Sequence, residues 1–243
     1  MANWWQKFLT LCSSFANNLG FVFTCIAIIA GLYIAAKLAQ RFLPAPRKIS
    51  KTRRLTIVAI CAALSAILMF LEFPLVFLAP DFYKLDFSEL PVLLCGFYLG
   101  PAGAVACEAL KIILKLLIKG TSTAFVGDFA NFAVGCSMVL PAVIIYHLGR
   151  KKKTAIWGLV TGVFTMTVFG SAFNALYLLP KFADMFMPMD TILGMGQAIY
   201  PQIDSVWSLV LMCVVPLNLI KGIAVSVLTL LLYKRVARPL FNK

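Results

Sequence analysis

Between Val206 and Tyr233 the chain runs for 28 residues with one charged side chain, Lys221, and is otherwise almost wholly apolar. About 20 apolar residues are enough to cross the hydrocarbon core of a bilayer as a helix, so this run is read as a membrane span. A lysine near the middle of such a span costs roughly 2.5–3.5 kcal/mol on insertion scales, so it normally faces a bundle interior or an aqueous cavity and marks a functional site. Lys221 is about 12–15 residues from either end of the run, too far for its stem to carry the ammonium comfortably to an interface. Asn218 sits one helical turn earlier, and Pro216 can kink the helix just before it, within PLNLIKG.

The rest of the chain agrees with a polytopic membrane protein. Hydrophobic residues make up 62% and charged residues 13%, with a mean hydropathy of +0.94. A soluble domain carries about twice that share of charge. The apolar runs are continuous and do not alternate, which excludes a β-barrel. Candidate spans are 19–40, 53–71, 88–100, 101–118, 127–148, 154–179 and 206–235. The third and fourth are separated at Gly100-Pro101 and read as a helical hairpin. The fold class is therefore an all-α polytopic membrane protein. Residues 1–50 hold an extra N-terminal transmembrane helix and a basic linker, and 51–243 a six-helix membrane domain. The first apolar stretch, long enough to span and followed by a basic cluster, suits a retained helix better than a cleaved signal peptide.

The net charge of +13 sorts by loop, which argues for a membrane topology and against nucleic acid as a partner. Arg47, Lys48, Lys51, Arg53 and Arg54 form one basic group, Arg150 to Lys153 a second, and Lys234, Arg235, Arg238 and Lys243 a third, with no acid among them. The positive-inside rule places all three in the cytoplasm. Seven spans put them on one side, with the N-terminus outside and the C-terminus cytoplasmic. The loops 72–87, 119–126 and 180–205 then face the exterior, and the polar residues of interest cluster at or near them.

Four groups carry the chemistry. In KGTSTAFVGDFANF, Thr121, Ser122 and Thr123 offer hydroxyls, read either as ligand contacts or as a loop and N-cap for the next helix. Asp128 and Asn131 follow three apart on one helix face, at the start of a span. Asn174, in SAFNALYLLP, is equally open to a ligand role or an interhelical hydrogen bond. Asn218 offers a donor and an acceptor side by side, which matches a uracil-like edge, and Lys221 supplies a strong donor to a ring carbonyl or nitrogen. In KLDFSELP, Leu85, Asp86 and Phe87 belong to a loop able to cover a pocket, and Ser88 is a candidate N-cap.

Other features are read more simply. Glu108, Lys111 and Lys115 stripe one face of the fourth span, chiefly as a Glu–Lys pair that lowers the cost of burial. Ala59/Ala63 and Ala62/Ala66 give overlapping AxxxA registers, and Gly158/Gly162 a GxxxG, which let helices approach closely. The seven cysteines form no CxxC pair and read as small buried hydrophobes, and the one histidine, His147, as an interfacial residue, so no metal site is expected. There is no P-loop and no visible catalytic set, so the chain is not read as an enzyme.

With KLDFSELP, GFYLGP, KGTSTAFVGDFANF, the Asn174 segment and PLNLIKG in view, residues 53–240 resemble the riboflavin-specific, RibU-type substrate-binding S components of energy-coupling factor (ECF) transporters. The resemblance implies a six-helix core with riboflavin, the transported ligand and not a cofactor, bound near the outer face beneath a lid formed by the first external loop. It implies that Asn174, Asn218 and Lys221 contact the isoalloxazine ring and that the KGTST loop helps form the pocket. It implies that Ala59, Ala62, Ala63 and Ala66 dock on a transmembrane coupling subunit, completed by two cytoplasmic ATPases. The extra first helix and the long 180–205 loop depart from the six-helix pattern. An S component for another vitamin or modified base, and a stand-alone secondary transporter using Glu108 and Lys111, remain alternatives at this level.

Overall fold

A computed structural model describes residues 19–44, 49–121 and 123–241. Helix α1 (Leu19–Phe42) is followed by α2 (Lys51–Phe70). A minimal antiparallel hairpin comes next, β1 (Phe73–Pro74) against β2 (Lys84–Leu85), with Phe73 opposite Leu85. Then come α3 (Glu89–Leu99), α4 (Pro101–Lys119), α5 (Val126–Gly149) and α6 (Lys152–Phe173). The sixth span does not stop there: it passes through a π turn at Asn174–Leu178 into α7 (Leu179–Met185). After α8 (Met189–Gln197), α9 (Val206–Leu209) runs through a second π turn at Val210–Val214 into α10 (Val215–Phe241).

Among the described residues, five stretches are long and apolar enough to cross a membrane: Leu19–Phe42, Lys51–Phe70, Val126–Gly149, Lys152–Met185 and Val206–Tyr233. The expected third and fourth spans form the hairpin foreseen. Gly100 joins them at φ +94°, a backbone that favours glycine, and Pro101 opens α4. With 11 residues at about 1.5 Å each, α3 is only roughly 16 Å long, about half a hydrocarbon thickness. Its N-terminus, and the loop that feeds it, therefore lie within the bundle.

Both π turns end two residues before a proline, Pro180 and Pro216. A proline ring has no N–H and clashes with the carbonyl four residues earlier. Widening the preceding turn to an i→i+5 bond (Leu179 N–H to Asn174 C=O, Val215 N–H to Val210 C=O) keeps the helix continuous while shifting that carbonyl.

The main core is built where α3, α5, α6 and α10 meet, around Phe97, Met138, Tyr146, Leu159 and Met166. Helices α5 and α6 lie in close backbone contact. A β-carbon on Gly158 would sit 2.4 Å from the Ala142 carbonyl oxygen, and one on Gly162 2.6 Å from that of Met138. Helix α1 packs on α4 and α5 through Ala36, Ile29 and Leu32, and Gln40 donates to the Leu99 carbonyl at 3.2 Å.

Three local expectations need correction. The segment 180–205 is not an open loop: α7, α8 and Ile203 close a second apolar cluster with Leu209, Val210 and Cys213, and loop residues Ala79, Phe82 and Tyr83 pack against it. His147 is buried rather than interfacial, with Nε2 3.0 Å from the Gly96 carbonyl oxygen. Ser88 does not cap α3 with its hydroxyl; the Asp86 carboxylate accepts from the Ser88 N–H at 2.8 Å. As expected, the cysteines of the described residues are free thiols, and all but Cys61 are buried; Cys12 lies outside the described residues.

Candidate functional site

The short α3 leaves one half of the bundle to be filled by loop and side chains, and a cavity of about 580 Å³ remains there. That is within the range of pockets that enclose small organic ligands, about 300–1,000 Å³. Its wall brings together Asp86, Thr121, Thr123, Asp128, Asn131, Asn174 and Lys221, all foreseen as site residues. It adds Tyr83, Glu89, Lys115 and Phe182, which sequence reasoning did not single out as site residues. Leu85, Phe87 and Asn218 stand behind the wall rather than on it. Leu85 is buried in the hairpin, and Phe87 packs near Phe73, with ring centroids 6.2 Å apart. Ser122 lies outside the described residues.

Lys221 does not snorkel. Its ammonium lies 3.0 Å from Asp86 Oδ2 and 3.2 Å from Glu89 Oε2. Glu89 is shared with Lys111, which lies 3.5 Å from its Oε1 and 2.5 Å from Glu108 Oε1. The expected Glu108–Lys111 pair is thus one part of a cluster of three carboxylates and two lysines. Each charge would be expensive to bury alone; pairing them offsets much of that cost. An ammonium has three donors, so Lys221, engaged by two carboxylates, keeps one N–H for the cavity.

The Asp86 carboxyl is subject to opposed effects. Burial would raise its pKa, but the charges of Lys221 and Lys111 and hydrogen bonds from Ser88 outweigh it and hold the group below its usual range. Asp86 therefore stays ionised at neutral pH and ties the loop before α3 to α10. At the mouth, Glu72 receives both Lys84, at 3.0 Å, and Lys119, at 2.5 Å. This joins the end of α2, the β-hairpin and the end of α4.

The KGTST loop is shaped by its own hydroxyls. Thr121 Oγ1 accepts from the Phe125 N–H at 2.9 Å and donates to Asp128 Oδ2 at 2.8 Å. Thr123 Oγ1 accepts from the Gly127 N–H at 3.0 Å, which satisfies a first-turn donor of α5 from before its start, whereas the N-cap itself is Phe125 and not the Ser or Thr considered for it. These bonds hold Ala124 and Phe125 at positive φ, where non-glycine residues are uncommon. Asp128 also pairs with Lys115.

Asn174 opens the first π turn. Its Nδ2 donates to the Gly170 carbonyl at 2.8 Å and its Oδ1 accepts from the Tyr83 hydroxyl at 3.0 Å, so it ties the loop after α2 to the end of α6. Asn218 is buried with Nδ2 lacking a hydrogen-bond partner, against Gly170. Of the small residues on α2, Ala62 and Ala66 are buried inside this chain's own bundle, whereas Ala59 and Ala63 are exposed beside Leu55, Ile60, Leu64 and Ile67. The two overlapping registers are adjacent on the helix, roughly 60° apart, and straddle the edge of its buried face, so only Ala59/Ala63 is open to a partner.

Residues 53–233 match the family model described as the ECF transporter, substrate-specific component. The chain is 32% identical to the riboflavin transporter RibU of Staphylococcus aureus (strain TCH60), over 77% of this chain and 92% of that one. It is 28% identical to the riboflavin transporter FmnP of Bacillus subtilis (strain 168), over 75% of this chain and 91% of that one. Among solved structures it is similar to the S component of a bacterial ECF transporter, with a TM-score of 0.62 and 34% identity, covering 79% of this chain and 99% of that chain.

Proposed function

Because this chain belongs to the substrate-specific components of ECF transporters, we propose that it captures riboflavin from the exterior and delivers it inward when docked on an ATP-driven energising module. It is a transporter component and not an enzyme. The observation that carries the ligand assignment is the cavity itself. It combines a size suited to a vitamin with the amide of Asn131 and the third N–H of Lys221 on its wall, and with Phe82 and Phe182 as apolar surface. A flavin ring presents carbonyl and ring-nitrogen acceptors to such donors and an apolar dimethylbenzene edge to such rings. Lys221, Asn174, Asn131, Asp128, Thr121 and Thr123 are the proposed binding residues, with Asn218 reached from behind the wall and Ser122 adjoining Thr121.

Docking is assigned to the exposed face of α2, where Ala59 and Ala63 allow a partner helix to approach. The partners in this reading are the transmembrane coupling subunit and two cytoplasmic ATPases. The basic groups around Arg53 and at Arg150 to Lys153 support a cytoplasmic C-terminus, with the cavity open to the outside. Purified protein is expected to carry a yellow chromophore through gel filtration and to release it as free riboflavin on denaturation. Protein that is colourless and stays so after incubation with riboflavin would refute the ligand assignment.

A further inference from the structure

Lys111 leaves α4 toward the interior and is fully buried, so it is outside the cavity wall. Besides Glu108 and Glu89, its ammonium meets Ser88 Oγ at 3.2 Å and Asn131 Oδ1 at 3.4 Å. An ammonium only donates, so the Asn131 atom turned toward it has to be the carbonyl oxygen. The Asn131 NH₂ is then turned away from Lys111, and Asn131 is itself part of the wall. On the same wall Lys221 keeps one N–H, its other two donors being matched to Asp86 and Glu89. Asn174 uses one N–H on the Gly170 carbonyl and accepts at its oxygen from Tyr83, which leaves its second N–H as a further donor.

We propose that Lys111 is a positioning residue for ligand recognition: by holding Asn131 Oδ1 it commits the Asn131 amide to donating into the cavity, so this wall selects a ligand edge made of acceptors. The proposal rests on the riboflavin reading above, since the flavin carbonyls and the ring nitrogens that carry no hydrogen are such acceptors. Lys111 itself touches no ligand. Its effect passes through Asn131, and that separates it from a lysine that only balances charge.

Asn131→Asp and a charge-balanced pair, with Asn131→Ala made both in the wild-type and in the charge-balanced background, test it on the intact chain, with riboflavin affinity read by fluorescence quenching and folding by thermal unfolding. Asn131→Asp keeps an oxygen on Lys111 but has no NH₂. It is expected to fold, at an unfolding temperature lowered by the carboxylate it adds beside a cluster that already holds three, and to bind riboflavin at least about tenfold more weakly. Lys111→Met/Glu108→Gln removes one charge of each sign, so the cluster keeps its net charge. It is also expected to lose at least about tenfold, and adding Asn131→Ala to it to cost less than about twofold more, because the two residues act as one unit. Wild-type affinity in Asn131→Asp overturns the proposal, as does a full-sized Asn131→Ala loss in both backgrounds. If the charge-balanced variant does not fold, wild-type affinity in Asn131→Asp still overturns the proposal. Failure of the wild-type chain itself to bind riboflavin refutes the functional reading instead.

Discussion

Lys221→Met is expected to abolish high-affinity capture of riboflavin and also to destabilise the fold. The first effect follows from losing a charged donor on the cavity wall, about 1.5–3 kcal/mol of binding, or roughly ten- to more than a hundredfold in affinity. The second follows from what Lys221 holds: Asp86 at 3.0 Å and Glu89 at 3.2 Å, both buried. Removing one member of a buried ion pair typically costs about 3–5 kcal/mol, because the other charge is left uncompensated. Glu89 keeps Lys111, so the greater part of the penalty falls on Asp86 and on the loop it anchors. The two effects separate in Lys221→Met/Asp86→Asn. Thermal unfolding should return toward the wild-type temperature, while riboflavin quenching stays lost. Recovery of both together would mean that Lys221 is only a strut for the loop.

Gly158→Leu is expected to prevent stable folding, whatever the ligand. The β-carbon alone would sit 2.4 Å from the Ala142 carbonyl oxygen, a backbone atom that cannot swing aside as a side chain can. The leucine would have to push α6 off α5 along the principal helix–helix contact of the core. Overpacking usually costs about 1–3 kcal/mol, and a clash against backbone belongs at or above the top of that range. The control is Gly194→Ala in α8, where a β-carbon meets nothing within 4 Å. Detergent-solubilised Gly158→Leu should aggregate or unfold at a markedly lower temperature, and Gly194→Ala should match the wild type. Equal stability of the two would contradict the α5–α6 packing.

The membrane spans and the central lysine were legible in the sequence, because lipid leaves few alternatives for an apolar run and none that is cheap for a buried charge. The partner of that lysine was not. Asp86 and Glu89 are 135 and 132 residues from Lys221, and neither an external loop nor the first turn of a span shows which distant cation its acid will meet. Only the shortness of α3, visible as a 13-residue apolar segment, hinted that this loop dips inward. Segment 180–205 was misread because Pro188, Gly194 and Gly196 look like loop punctuation, whereas burial of Ile192 and Ile203 favours helix and a closed cap. Pro216 announced a disturbance in its helix, but a widened turn and a kink leave the same mark in a sequence, and Pro180 fell just past the end of the span read as 154–179. The AxxxA registers were equally ambiguous: four alanines within eight residues cannot show which pair faces outward until α2 is packed against α3 and α4.

The most direct measurement of the central claim is a titration of flavin-stripped protein with riboflavin, followed by quenching of flavin fluorescence. Saturation at one riboflavin per chain, absent in Lys221→Met/Asp86→Asn, is the result this account predicts. No quenching by well-folded wild-type protein, or equal quenching by that paired variant, would contradict it.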